Sequence, residues 1–161
     1  MIHWMLLLFS PVFGDVFEDC HRLGKKWKDP FRQVIKNPDF FKKYKCDLEA
    51  RAEFSAFYGK SVKGFTSLNY PYSIPSEDPK SLFQTVSDFI TSMAAIFNEL
   101  VACSKGVGCG TYEHEDKYDG IISCVFDTTN SKCKLSELKL KYLQKSSLKN
   151  GQESPKQLWV T

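Results

Sequence analysis

Six cysteines, all after position 14 of this 161-residue chain, constrain its fold more than any other feature of the sequence. They are Cys20, Cys46, Cys103, Cys109, Cys124 and Cys133. An even number of cysteines in an exported chain of this size predicts three disulfides, although the sequence alone cannot pair them. The alternative is a structural zinc site, which usually uses close pairs such as C-x2-C or C-x4-C. The spacings C-x5-C and C-x8-C found here favour disulfides.

Residues 1–14 predict a secretory signal peptide. They contain no Asp, Glu, Lys or Arg, include the apolar run Met5–Phe9, and end at Gly14 before the acidic Asp15. An apolar segment followed by a small residue is typical of a cleaved leader, and the alternative is a buried N-terminal helix or strand. Because no apolar run approaches the roughly 20 residues of a membrane-spanning helix, we expect no transmembrane span. We therefore expect a secreted, extracellular protein.

The remaining chain predicts one globular domain. Hydrophobic residues make up 42% and charged residues 25% of the sequence, which is ordinary for a folded protein and excludes a disordered or fibrous chain. We expect a single disulfide-stapled helical domain over residues 15–146. The last residues, 147–161, are polar and predict a flexible tail.

Capping residues and apolar spacing predict an all-α fold. Asp29-Pro30, Asn37-Pro38 and Asp78-Pro79 each place an acceptor side chain before a proline, which is typical of a helix start. We expect a small disulfide-stabilised bundle of about four to five helices. The predicted helices cover 15–28, Pro38 to about Tyr58, Pro79 to about Ala102 and Lys134 to Lys145. Residues 59–75 predict an irregular crossover, and the Gly/Cys-rich segment 104–133 can hold a short hairpin with a strand near Ile121–Phe126.

Two of these helices predict a core. In the helix from Pro79, a wide stripe follows a helical repeat and predicts a core-facing helix, although its length also suits a coiled coil with a partner. The stripe consists of Phe83, Val86, Ile90, Met93, Phe97 and Leu100. In the helix from Pro38, Leu48, Ala52 and Ser55 lie on one face. Because its other side carries Phe40, Phe54, Phe57 and Tyr58, we expect that side to be covered as well.

No residue pattern predicts catalysis or a cofactor. His21 lies beside Cys20, and His114 lies among the carboxylates of Glu113 and Glu115, where an imidazole can serve as a general base or bind a metal. Adjacent loop residues do not point in a common direction, and no second histidine follows at a metal-binding spacing such as H-E-x-x-H. We therefore assign no catalytic, cofactor-binding or metal-ligating residue, and the site residues we predict are the six disulfide cysteines.

Three functions remain open. The first is a secreted, non-enzymatic binding protein, which predicts an exposed apolar or aromatic patch for an extracellular protein partner. The second is an extracellular carrier of small hydrophobic ligands. The spacing Cys124-x8-Cys133 is similar to the last cysteine spacing of insect odorant-binding proteins, a family of secreted helical carriers. The close second and third cysteines of that family are missing, because Cys46 and Cys103 are 57 positions apart. The third is a small secreted hydrolase that uses His21 or His114.

Charge separates the C-terminal end from the rest of the chain. Residues 15–131 hold 15 basic and 17 acidic side chains, whereas residues 132–161 hold seven lysines and two glutamates. A basic end can contact anionic glycans or lipid headgroups, although lysines at a chain end also serve solubility. Nucleic acid is not an expected partner, because no recognised nucleic-acid-binding module occurs.

Overall fold

The computed structural model describes residues 16–116, 118–129 and 132–134, together with the backbone of 159–160. The described part contains six helices and four strands. In chain order they are α1 (Val16–Asp19), α2 (Lys25–Val34), α3 (Pro38–Lys42), α4 (Cys46–Tyr58), β1 (Phe65–Ser73), α5 (Pro79–Ser92), α6 (Ala94–Cys103), β2 (Val107–Glu113), β3 (Asp119–Asp127) and β4 (Trp159–Val160). The predicted signal peptide (1–14) lies outside the described residues, as do nearly all of the predicted helix 134–145 and most of the predicted tail.

The fold is mixed α/β, so the all-α prediction is wrong. The strands form one antiparallel sheet in the order β2-β3-β1-β4. The long central strand β1 pairs with β3 from Phe65↔Asp127 to Ser73↔Asp119. Strand β2 pairs with β3 from Val107↔Phe126 to Glu113↔Gly120, and the two-residue β4 pairs with β1 at Leu68 and Asn69.

Two strands were missed because their residues resemble loop residues. Strand β1 contains Asn69 and Pro71, which are both rare in strands, and therefore suggested an irregular crossover. Strand β2 contains Gly108 and Gly110, which suggested a loop. Tertiary packing overrides both local preferences, because the sheet is covered by helices on both faces.

The helices form two layers around the sheet. One face presents Leu68, Cys124 and Phe126 to a core that also contains residues of α1, α2, α3, α5 and α6. Ring contacts connect the layers on this face, among them Phe97 with Phe126 at 5.7 Å between centroids and Trp27 with Tyr72 at 5.2 Å. The opposite face is covered by α4.

Helix α4 lies close to the β2 backbone because two glycines provide the space. A Cβ atom on Gly108 would lie 2.6 Å from the Leu48 backbone carbon, and one on Gly110 would lie 2.9 Å from the Glu53 nitrogen. Both distances are shorter than the contacts that a Cβ atom makes with other heavy atoms in a packed protein, so a side chain at either position would push the helix away. The glycines that suggested a loop therefore set the distance between the helix and the sheet.

The predicted helix starts are confirmed at two of three positions. The Asn37 side chain accepts a hydrogen bond from the Asp39 N–H at 3.0 Å, and the Asp78 side chain accepts one from the Ser81 N–H at 3.0 Å. Asp29-Pro30 does not start a helix, since Pro30 lies inside α2. The buried side chains of α2, including Trp27 and Phe31, outweigh the one helical hydrogen bond that a proline cannot make.

The long predicted helices are each divided. Residues 15–28 become α1 and the start of α2, and residues 38–58 become α3 and α4. The helix predicted from Pro79 ends at Ser92, and α6 continues after Met93 at an angle of 78°. Val86 and Met93 of the predicted stripe are buried, as are Leu82 and Phe89 outside it, whereas Phe83, the first residue of the stripe, is exposed. None of the described helices is by itself long and apolar enough to cross a membrane, although the bent pair α5–α6 passes that test together by length and composition.

The six cysteines form three disulfides, as their number predicted. Cys20–Cys46 joins the end of α1 to the start of α4, and Cys103–Cys133 ties α6 to the segment after β3. Cys109–Cys124 links directly opposed residues of β2 and β3, whose Cα atoms are 4.1 Å apart. That distance is typical of a non-hydrogen-bonded pair in an antiparallel ladder. The backbone N–H and C=O groups of Cys109 therefore point away from β3.

The cap of α5 generates a pH-dependent prediction. Hydrogen bonds from the Ser76 hydroxyl and from the N–H and hydroxyl of Ser81 lower the pKa of Asp78 to about 2. A carboxyl whose pKa is lowered by folding stabilises the fold above its unfolded pKa of about 4, and that contribution is lost as the pH falls to about 2.

We expect the free energy of unfolding of Asp78→Asn to be lower than that of the wild type at about pH 5. The difference in the free energy of unfolding between the two proteins narrows towards about pH 2. There Asp78 becomes protonated, and both proteins then have a neutral capping oxygen. Urea denaturation of both proteins at several pH values measures this difference. A gap that is the same at every pH would contradict the assignment of Asp78 as a charged cap.

Candidate interaction surface

The last turn of α4 presents aromatic side chains to solvent. Phe54, Phe57 and Tyr58 are 45%, 54% and 58% exposed, and Tyr112 and His114 lie beside them at the end of β2. Ring centroids lie 4.6 Å apart for Phe54–Tyr58 and Phe57–Tyr58, 4.8 Å for Phe57–Tyr112, and 5.4 Å for Tyr112–His114. We call these five residues the aromatic surface. It is a continuous chain of ring contacts from the helix to the strand.

The helix exposes these rings because small residues face the sheet. Leu48 and Glu49 are buried at the start of α4, whereas in its second half the buried residues are the small Ala52, Ser55 and Ala56. In this second half the large residues occupy the outer side, in the reverse of the usual amphipathic pattern. The expectation that Phe54, Phe57 and Tyr58 would be covered is thus wrong, whereas Phe40, on α3, is buried.

Helix α4 is held in place by a buried carboxylate. The Tyr44 hydroxyl donates to Glu49 Oε1 at 2.8 Å and accepts from the Cys109 N–H at 3.1 Å. The Arg22 N–H donates to Glu49 Oε2 at 2.7 Å, and the Glu49 side chain is fully buried. Burial raises the pKa of the Tyr44 hydroxyl well above its usual range, and the charge of Glu49 raises it further. This hydroxyl therefore remains a proton donor to the carboxylate.

The backbone of Lys43 and Lys45 and the Tyr44 hydroxyl together pair the first half of the outer edge of β2. The Val107 N–H donates to the Lys43 carbonyl at 3.1 Å, and the Lys45 N–H donates to the Val107 carbonyl at 2.9 Å. The next outward-pointing groups are those of Cys109, whose N–H donates to the Tyr44 hydroxyl at 3.1 Å and whose carbonyl oxygen lies 3.3 Å from that hydroxyl. Because strand groups alternate in direction, those of Thr111 and Glu113 also point outward. Among the described residues no hydrogen bond pairs with their backbone groups, and we call this unpaired second half of the edge the open half.

Acidic groups lie on the other side of this open edge from the aromatic surface. The Lys26 ammonium bridges Glu113 Oε1 at 2.6 Å and Glu77 Oε1 at 2.7 Å. Burial raises the pKa of the nearby Tyr72 hydroxyl, and Glu113, Glu77, Asp119 and Asp116 raise it further. That hydroxyl is buried without a hydrogen-bond partner among the described groups.

The two histidines singled out by the sequence are exposed. His21 lies in the segment between α1 and α2, whereas His114 lies at the end of β2 and contacts Tyr112. Among the described side chains, no three His, Cys, Asp or Glu residues converge as a metal site requires. The candidate site residues that sequence reasoning missed are the rings of the aromatic surface. For Phe54, Phe57 and Tyr58 the available signal was their position on α4 opposite the small residues Ala52 and Ser55.

A groove of about 330 Å³ lies between α2 and α5. Its lining is Lys25, Lys26, Asp29, Pro30, Gln33, Glu77, Pro79, Leu82 and Phe83. Most of these residues are exposed and four of them are charged, so the groove is a surface feature with a mixed polar and apolar lining. A carrier of hydrophobic ligands needs an enclosed, predominantly apolar cavity instead.

Comparison of the chain with models of protein families, with curated proteins and with solved structures finds no match. The functional argument therefore rests on the surface itself.

The buried carboxylate generates a stability prediction. Tyr44→Phe removes the hydroxyl and leaves Glu49 Oε1 and the Cys109 N–H without this partner in a buried position. We expect the free energy of unfolding to fall by about 1–3 kcal/mol. Chemical denaturation measures the change, and the exposed Tyr58→Phe provides the matched control, with a change within about 0.5 kcal/mol. Equal losses in the two variants would show that the Tyr44 hydroxyl does not hold α4.

Proposed function

We propose that this protein is a secreted, non-enzymatic binding module that contacts an extracellular protein partner through the aromatic surface. The observation that carries the proposal is the continuous set of ring contacts from Phe54 to His114, in which every ring but the half-buried Tyr112 is exposed. Exposed apolar residues that occur singly need no explanation, but contiguous patches mark interaction sites. Val62 and Phe83 are exposed to a similar extent without belonging to this surface.

The rings suit binding because their support is rigid. Aromatic side chains bury a large area at a low cost in conformational entropy, and they are enriched among the residues that dominate interface energies. Helix α4 is held by the Glu49 hydrogen bonds on one side and by its close contact with Gly108 and Gly110 on another. A partner therefore meets rings that are already in place.

The disulfides support the extracellular part of the proposal. Three disulfides in a domain of this size are typical of oxidising compartments, because cytosolic thiols are kept reduced. The aromatic surface favours a macromolecular partner over a small hydrophobic ligand, since several rings about half exposed to solvent in one patch suit contact with a protein surface.

A double variant tests the proposal. Photo-crosslinking from position 57 in extracellular fluid first identifies the partner. Titration with the purified partner then measures its affinity for the double variant Phe54→Ser/Phe57→Ser and for the wild type. We expect the affinity to fall at least 100-fold, since residues that dominate an interface each contribute about 2 kcal/mol or more. Stability should change little, because both rings are about half exposed.

The matched control is Phe83→Ser, which removes a ring of similar exposure from α5. It should bind like the wild type. Binding that survives the double variant, or that is lost with Phe83→Ser alone, would contradict a role for the aromatic surface.

A further inference from the structure

We propose that the open half of the β2 edge, at Thr111–Glu113, binds an extended segment of a protein partner in which apolar and basic side chains alternate. The segment would pair with the strand and add to the sheet. This inference rests on the proposed function, because it names the class of partner that the aromatic surface contacts.

The edge has the hydrogen-bonding groups that strand addition requires. The outward N–H and C=O groups of Thr111 and Glu113 have no partner within the described ranges, whereas those of Val107 and Cys109 are occupied. Unpaired groups at a sheet edge are a template for another strand. The opposite edge of the sheet is already extended by β4 at Leu68 and Asn69.

The two sides of this edge differ in chemistry. Tyr112 points to the α4 side, where Phe57 contacts its ring. Thr111 and Glu113 point to the other side, where Glu113 and Glu77 share Lys26. Because successive side chains of a strand point to opposite faces, an added strand places every second side chain on the aromatic surface and the others beside the carboxylates. Alternating apolar and basic residues complement both sides.

Charge around the edge favours the basic residues. The segment 113–119, from the end of β2 to the start of β3, contains Glu113, Glu115, Asp116 and Asp119 against Lys117. At Glu113 and Glu77 the single positive charge of Lys26 faces two carboxylates, so a net negative charge remains on this side. An acidic segment would meet like charges there.

A synthetic peptide of sequence Lys-Leu-Lys-Leu-Lys-Leu, with a fluorescent label, is the probe. We expect saturable binding to the full chain by fluorescence polarisation. The peptide Glu-Leu-Glu-Leu-Glu-Leu and the block peptide Leu-Leu-Leu-Lys-Lys-Lys should bind at least tenfold more weakly, because the first reverses the charge and the second loses the alternation.

Thr111→Pro tests the strand pairing. Proline removes the outward N–H and blocks an added strand, while it leaves the hydrogen bonds towards β3 intact. We expect a loss of peptide affinity of tenfold or more. Thr111→Val keeps the N–H and should bind the peptide like the wild type. Independently of whether Thr111→Pro folds, Glu115→Lys on the exposed turn should weaken the lysine peptide and strengthen the glutamate peptide.

Three results would overturn the proposal. They are unchanged peptide binding by folded Thr111→Pro, equal binding of the lysine and glutamate peptides, and a dimer of this chain that Thr111→Pro dissolves. The first leaves the proposed function intact if Phe54→Ser/Phe57→Ser still loses the partner. Conversely, Thr111→Pro can abolish peptide binding while Phe54→Ser/Phe57→Ser binds the partner like the wild type. In that case the β2 edge binds the peptide, and the proposed function of the aromatic surface is wrong.

Discussion

The close contact between α4 and the β2 backbone determines how the rest of this structure is arranged. Gly108 and Gly110 allow the approach, and the buried Glu49 fixes it through the Tyr44 hydroxyl and the Arg22 N–H. Two consequences follow from one geometry. In the second half of α4 small residues face the sheet and the large rings are directed outward. Tyr44 is placed where its hydroxyl binds the β2 edge at Cys109. The exposure of the aromatic surface thus arises from the packing of the core.

Sequence reasoning succeeded where a local interaction determines the outcome. The caps at Asn37 and Asp78 and the presence of disulfides follow from short-range chemistry or from residue counts. It failed where distant segments decide. Strand β1 forms despite Pro71, and β2 forms despite its glycines, because both pair with β3 and pack against helices that are distant in the sequence. The exposure of Phe57 follows from the same long-range packing, and periodicity alone therefore could not predict it.

The two halves of the β2 edge differ in whether their outward backbone groups are paired. One half is closed by backbone bonds at Val107 and by the Tyr44 hydroxyl, which protects the sheet from unspecific pairing. The other half lies between rings and carboxylates, so a ligand that pairs there meets apolar chemistry on one side and negative charge on the other. Because the open edge is short, affinity and specificity have to come from these flanking side chains.

Amide hydrogen exchange of the unbound protein, followed by NMR, tests this account most directly, because it reports each group of the β2 edge separately. We expect the amides of Val107 and Cys109, which have partners, to exchange at least about tenfold more slowly than those of Thr111 and Glu113. If Thr111 and Glu113 exchange as slowly as Val107, the edge is covered in the free protein, and the account of a half-open sheet beside the aromatic surface is wrong.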